Sequence, residues 1–299
     1  EFLIHKTDEH LERQLKVSIE AVEIVGEIYE SLLKQYINPD SPESLHAINQ
    51  LVVRLVFCLY AEDAGIFGHH MVFHDYLARF SSRDFRRALI DLFSVLDTPI
   101  EERNPYLDDE LLAFPYVNGG MFAENNLEIP TFTDELRELI LEHASSSFDW
   151  SEISPTIFGS TLNPETRHSG GMHYTSIENI HKVIDPLFLD ELKDELNEIR
   201  QFKQFKTVEQ RAKQFQSKLS SLTFFDPACG SGNFLTETYI SLRRLENEAI
   251  KLYMGDSVAF DVGQELVKVQ LSQFYGIEIN DFAVSVAKTA LWIAESQML

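Results

Sequence analysis

The sequence predicts a mixed fold, an all-α domain over residues 1–147 followed by the opening part of an α/β domain over residues 148–299. Three observations carry this expectation. Apolar residues recur at three-and-four spacing through the first part of the chain, the pattern of amphipathic helices. A glycine-bearing run, Phe225-Asp226-Pro227-Ala228-Cys229-Gly230-Ser231-Gly232-Asn233-Phe234-Leu235, follows a short apolar stretch and leads into a helical pattern. A second strand-like run, Phe274 to Asn280, contains an acid near its end. With 299 residues, 44% hydrophobic and 11% aromatic, the chain can bury the two cores this layout requires.

The first helix is read from Leu11, Leu15, Ile19, Val22, Val25, Ile28 and Leu32, a stripe that other helices must cover. Leu45 to Tyr60 is nearly continuously apolar and is expected to be the central helix, ended by Glu62-Asp63 and Gly65. The stretch from Leu51 to Tyr60 is interrupted by Arg54 and reads as too short to span a bilayer. Glu62 and Asp63 invite a nuclease or metal reading, but the strand-borne Glu-x-Lys that a nuclease core wants is missing here. His69, His70 and His74 lack cysteines or helix-spaced partners and read as a surface loop, not a zinc site. Arg83, Arg86 and Arg87 form a local basic strip that could touch a nucleic-acid backbone, but they read better as a solvated helix face. Ser145-Ser146-Ser147 marks the expected boundary, with Asp149-Trp150 opening the second domain.

In the second domain, Thr175 or Ser176 is placed to cap a helix through Ile180, Val183 and Ile184, with Glu178 at its positive end. Lys203, Lys206, Arg211, Lys213 and Lys218 are interleaved with Phe202, Phe205 and Phe215. The phenylalanines are expected to bury in a helix seam rather than stack on bases. Gly230 and Gly232 permit a tight turn and close backbone approach to a ligand, and the amides opening the next helix face a negative group. Asp226 adds an acceptor for a positive or donor-rich group, a combination suited to a zwitterionic ligand. A long helix then runs through Leu242, Leu245 and Ala249, followed by a break from Gly255 to Gly263 and a strand-like Leu266 to Leu271. Tyr275, Ile277 and Ile279 alternate along the second strand, and a last helix is read from Phe282 to Met298.

Three familiar glycine loops do not fit these letters. A phosphate-binding loop needs Gly-Lys-Ser/Thr, and no lysine follows the loop before Lys251. A dinucleotide fingerprint needs a third glycine where Leu235 stands. A serine-hydrolase elbow needs Gly-x-Ser-x-Gly, and Gly230-Ser231-Gly232 is too short. Cys229 has no basic residue in the loop to stabilise a thiolate and reads as a small packing residue.

The run Asp226 to Leu235 resembles the first motif of S-adenosylmethionine-dependent DNA methyltransferases that methylate an exocyclic base amine, most often of adenine. That resemblance implies a Rossmann-like domain with S-adenosylmethionine as cofactor. Asp226, Pro227, Ala228, Cys229, Gly230, Gly232, Asn233 and Phe234 would cradle the methionine moiety, and Glu278 would hold the ribose hydroxyls. A carboxylate suits this role because it accepts two hydroxyl hydrogen bonds. Ile279 would cover the adenine, and Asn280 would close the same corner. Glu278 stands 52 positions after Asp226, against roughly 20 in a plain dinucleotide unit, so an insert is expected between them. His173 to Ile180 resembles the segment preceding the first motif in one circular order of these enzymes. Thr175 would then contact the cofactor carboxylate, with Ser176 where the family has proline. The family's catalytic tetrapeptide, Asn/Asp-Pro-Pro-aromatic, is not among these residues and is expected beyond Leu299, so no catalytic residue is assigned and the chain is expected to be a fragment of a longer enzyme.

Arg54 to Phe67 and Tyr116 to Phe122 resemble the helical spacer of single-chain restriction–modification enzymes, in which it joins an N-terminal nuclease to the methyltransferase. The implied partner is double-stranded DNA. The net charge of −23 argues that the main DNA grip lies outside this portion. Two cysteines, Cys58 and Cys229, give neither a disulfide framework nor zinc spacing, which points to a reducing cytoplasm. Methylation of RNA or protein, and a non-catalytic helical scaffold, stay open as alternatives.

Overall fold

The computed structural model describes residues 2–117, 121–124, 126–156, 175–254 and 266–298, and is mostly helical with one small sheet. It divides into two compact units, Glu1–Ser154 and Pro155–Leu299.

The first unit is all-helical among its described residues. Helix α1 (Phe2–Leu33) buries Ser18, Ala21, Val25, Ile28 and Leu32. Val25, Ile28 and Leu32 thus lie in the expected stripe, whereas Ile19 is 44% exposed and Ser18 and Ala21 are buried beside it. Helix α2 (Pro42–Asp63) is the central element, as the apolar run predicts. Ser41 caps it by accepting from the Ser44 amide at 3.1 Å, and Pro42 sits in the first turn where its missing N–H is not needed. Gly65, at φ +73°, turns the chain out of the helix. At 22 residues α2 is long and apolar enough to cross a bilayer, contrary to the expectation from the shorter run, but 78% of its most apolar window is buried by its neighbours. Arg54 is tolerated there because its guanidinium donates to the carbonyls of Met121 and Glu124 and lies over the Phe93 and Phe122 rings.

Helices α3 (Val72–Ala78), α4 (Ser82–Asp97), α5 (Asp109–Leu112) and α6 (Asp134–Glu138) complete this unit, α6 widening into a π-type segment over Leu139–Ser146. Glu62 accepts from the His74 amide and the Ser145 hydroxyl, each at 2.8 Å, and Asp63 accepts from the Trp150 amide at 2.7 Å. This acidic pair fastens loops to the core helix, and no group of three or more metal-ligating side chains occurs among the described residues. Arg86 donates to the Ile129 carbonyl and Arg87 pairs with Asp91 along α4. Trp150 is fully buried with its indole N–H on the Ala144 carbonyl, and the Ser154 amide donates to the Ser18 hydroxyl. Those contacts carry the first unit through Ser154, past the serine run.

After the described residues Pro155 and Thr156, the second unit is described again from Thr175, with helix α7 (Ile177–Ile184) capped by Ser176, which accepts from the Asn179 amide. A π-type turn over Asp185–Leu189 leads into α8 (Asp190–Arg200), followed by α9 (Phe205–Ser221). Strand β1 (Phe224–Asp226), helix α10 (Asn233–Met254) and strand β2 (Phe274–Gly276) form a parallel β–α–β arrangement, and α11 (Asp281–Met298) follows. Phe224 pairs with Phe274, Phe225 with Tyr275 and Asp226 with Gly276. The Phe224 and Phe274 rings stack at 5.3 Å with Tyr239 edge-on to Phe274. The core continues through Ile180, Leu196, Phe215, Leu219, Leu242 and Leu245, and each such large side chain contributes about 1.5–3 kcal/mol on burial. The opposite side of the strands is open, with Phe225 and Tyr275 more than half exposed.

Two expectations fail here. Leu266 to Leu271 is not a strand, because the amides of Lys268 and Val269 donate to the buried Glu246 carboxylate and that of Gln270 to the Gln273 side chain. Of the three interleaved phenylalanines only Phe215 is buried. Phe202 and Phe205 stand 40% and 62% exposed, since the chain turns between α8 and α9 and breaks the helical period there.

Candidate functional site

The site is built where the two parallel strands end. Beyond Asp226 and Gly276 the ladder continues by one bond, the Ile277 amide donating to the Asp226 carbonyl at 3.0 Å, and the Cys229 amide then donates to the Ile277 carbonyl at 3.0 Å. The chain from Pro227 to Gly232 is thereby strapped across the end of β2. Asp226 folds over its own turn, its Oδ1 accepting from the Ala228 amide at 3.0 Å, an Asx-type arrangement that fixes the loop's entry.

The two glycines do what the sequence asks of them. Gly230 has φ +53° and Gly232 φ +80°, a region in which a β-carbon is strained. Gly232 has a second reason to be glycine, since a β-carbon there would lie 2.8 Å from the Ala287 Cβ on α11. Gly276, which the sequence reading passed over, is a third: its absent β-carbon would sit 2.6 Å from the Cys229 sulfur. The signal was present in the letters, a glycine at the C-terminal end of a strand opposite the loop. The Gly232 amide donates to the Cys229 carbonyl and the Thr236 amide to the Gly232 carbonyl, so α10 starts directly from the turn. Its first amides have no intrahelical acceptor, and no carboxylate lies in that first turn.

Glu278 joins the acid and the loop. Its Oε2 accepts from the Gly230 amide at 3.0 Å, and its Oε1 accepts from the Ile279 and Asn280 amides at 2.8 and 2.9 Å. Asn280 in turn caps α11, its Oδ1 accepting from the Ala283 amide. The structure therefore brings Asp226 through Phe234 together with Glu278, Ile279 and Asn280. Ile279 is 97% exposed beside them, an apolar surface available to a flat ligand. Ser231 donates to Asn233 Oδ1 within the turn. Thr175 is half-buried immediately before the Ser176 cap, and among the described residues no hydrogen bond joins it to the loop. His173 and Tyr174 lie outside the described residues, as do Asn118 to Gly120 of the spacer resemblance.

Cys229 is poorly placed to form a thiolate. Burial, then the Asp226 and Glu278 carboxylates, push its thiol pKa up, which keeps it protonated and poorly reactive. A polar chain that sequence reasoning missed lies on the other side of α10. The buried Glu237 accepts from the Thr156 hydroxyl at 3.0 Å and meets His181 Nε2 at 3.2 Å, while His181 Nδ1 meets Asp185 at 2.7 Å. These contacts tie α7 to α10. The arrangement as a whole offers helix-start amides without intrahelical acceptors, two carboxylates and an apolar ledge at one end of a parallel strand pair, which is where open α/β sheets bind their ligands.

Comparison with known proteins agrees on what kind of domain carries this site. Residues 202–299 match the family model described as the MmeI DNA-methyltransferase domain, and residues 46–122 match that described as the MmeI helicase spacer domain. The chain is 39% identical over 297 residues to DNA methyltransferase A of Bacillus subtilis (strain 168), a match covering 96% of this chain and 31% of that protein. A solved structure of the Type IIL restriction–modification enzyme MmeI in complex with DNA superposes with a TM-score of 0.78 at 38% identity, covering 94% of this chain and 36% of that one. The chain thus spans about a third of the length of these relatives. With the glycine loop, the acid of the second strand and the spacer all falling within matched segments, the chain belongs to the MmeI-type restriction–modification DNA methyltransferases and carries their spacer and methyltransferase domain segments.

Proposed function

We propose that this chain supplies the S-adenosylmethionine site of an enzyme that methylates the exocyclic amine of adenine in double-stranded DNA. The observation that carries the reading is the bond from the Gly230 amide to Glu278, which makes the glycine loop and the ribose-type acid two walls of one site. Asp226 and the turn from Pro227 to Phe234 would take the amino and carboxylate ends of the methionine. Glu278 would exchange its backbone partners for ribose hydroxyls, Ile279 would lie on the adenine and Thr175 would reach the carboxylate. The bound cofactor supplies an electrophilic methyl group. The chain's own residues hold and orient it, and Cys229, kept as a thiol, takes no covalent part.

In this reading the parallel β1–β2 pair is the start of a Rossmann-like sheet, and the group that holds the target amine lies in sequence beyond Leu299. The whole protein would flip the base out of the duplex to reach its amine, act in the cytoplasm, and carry a nuclease before the spacer. The test is calorimetric titration with S-adenosylmethionine of the wild type and of Asp226→Ala and Glu278→Ala. Saturable heat in the wild type that is lost or at least about tenfold weaker in both variants is expected, a loss of about 1.4 kcal/mol or more each. Unchanged affinity in Glu278→Ala would sink the ribose assignment.

A further inference from the structure

The chain carries a net charge of −23, yet residues 200–218 contain six basic side chains and one acidic one. Within that stretch the charges are not equally free. Arg200 pairs with Glu248, Lys213 with Glu209 and Lys218 with Glu195. Lys203 and Lys206 are exposed and form no ion pair among the described residues. Arg211 is exposed and its guanidinium lies 4.5 Å from the centre of the Phe202 ring, a cation–π contact. Phe205 stands beside these residues, 62% exposed at the start of α9, whose first turn contains no acid. Two exposed aromatic rings among three uncompensated cations are a poor surface for a solitary acidic protein. Their chemistry fits a polyanion that also offers apolar faces.

We infer that the corner between α8 and α9, formed by Phe202, Lys203, Phe205, Lys206 and Arg211, is a contact surface for the backbone of duplex DNA. Lys203, Lys206 and Arg211 take phosphates, and Phe205 lies against a deoxyribose. The contact is independent of base sequence and adds to whatever reads the site. It rests on the methyltransferase reading only for the choice of DNA as the polyanion. It also qualifies the inference from net charge, because a steering contact needs a local cluster and not a basic chain.

The experiment measures equilibrium binding of the intact protein to a fluorescent DNA duplex as a function of salt. Wild type is compared with Lys203→Ala/Lys206→Ala, with Phe205→Ala, and with Lys16→Ala/Lys34→Ala as a charge-matched control of exposed lysines on the first unit. Removing two phosphate contacts should make the slope of log affinity against log salt shallower by about 1.8, equivalent to about 12-fold less affinity lost between roughly 50 and 200 mM salt. Phe205→Ala should weaken binding several-fold at every salt concentration with the slope unchanged. The control pair should match the wild type. Cofactor titration and methylation of saturating DNA are followed in parallel. An unaltered slope in the Lys203/Lys206 variant, or an equal change in the control pair, overturns the surface while leaving the methyltransferase reading standing. A shallower slope in a protein that neither binds the cofactor nor methylates supports the surface and overturns that reading instead. A wild type with no affinity for the duplex overturns the surface.

Discussion

Gly232→Ala probes the loop at its tightest point. At φ +80° an alanine enters the left-handed region, at about 1–2 kcal/mol. Its β-carbon would lie 2.8 Å from the Ala287 Cβ and 3.2 Å from the Ala287 Cα, well inside the 3.5–4.0 Å optimum for carbon pairs, and overpacking of this kind costs about 1–3 kcal/mol. The sum is about 3 kcal/mol, which for a unit of this size lowers the melting temperature by about 10 °C. Ala287→Gly removes one of the two clashing atoms. Alone it should destabilise by about 1 kcal/mol, the usual difference between glycine and alanine inside a helix. The double variant should be less destabilised than the two singles added together, with a coupling of about 1–2 kcal/mol. Relief is partial, since the Ala287 backbone remains. Urea and thermal unfolding followed by far-ultraviolet circular dichroism give all four corners of the cycle. Strict additivity would show that the loop does not pack on α11 as described, and a Gly232→Ala protein within about 0.5 kcal/mol of wild type would refute the strain argument as well.

Two further outcomes follow from the charge environment. Cys229 should alkylate with iodoacetamide at neutral pH more slowly than a free cysteine and accelerate as pH rises, because burial and then the two nearby carboxylates raise its pKa; faster labelling than the free amino acid at neutral pH contradicts the described site. His181 is raised chiefly by its bond to Glu237, against some burial, and also by Asp185. A folded pKa above the unfolded value of about 6.5 gives a stabilisation that is full below that value and fades as pH rises through the folded one. Wild type should thus exceed His181→Ala by about 1 kcal/mol near pH 6, a charge-assisted bond discounted for exposure, with the gap narrowing as pH rises into the alkaline range. Melting curves across that range that keep a constant gap would place the effect in packing alone.

The sequence makes the loop legible because its constraints are local. Positive φ at Gly230 and Gly232 and the turn over Asp226 depend on residues a few positions apart, and glycine announces them. The same holds for α2, whose continuous apolar run needs no partner to be recognised. What was misread depended on partners distant in sequence. Leu266 to Leu271 alternates like a strand, but Glu246 on α10 takes its amides before a ladder can. Phe202 and Phe205 look like seam residues until the turn after Arg200 removes them from the helical period. In α1 the expected and observed stripes share Val25, Ile28 and Leu32 and part at Ile19, where Ser18 is buried instead and accepts from the distant Ser154 amide. The reach of Glu278 to Gly230 is of the same distant kind; the acid could be picked out in sequence, but not its hold on the loop.

The pairing of Phe224 with Phe274 across a parallel two-strand ladder sets an order of events during synthesis. When the ribosome has released Asp226 to Met254, the turn has its glycines and α10 can form, but β2, Glu278 and Ala287 are not yet made. The loop then lacks the Ile277 carbonyl for its Cys229 amide and the carboxylate for its Gly230 amide. Contacts of such sequence separation form late, after the entropy of closing the intervening chain has been overcome. A nascent chain stopped short of Gly276 should therefore hold a helical but ligand-blind second unit. If the proposed cofactor site is right, affinity gained during translation would mark the moment at which the two strands meet.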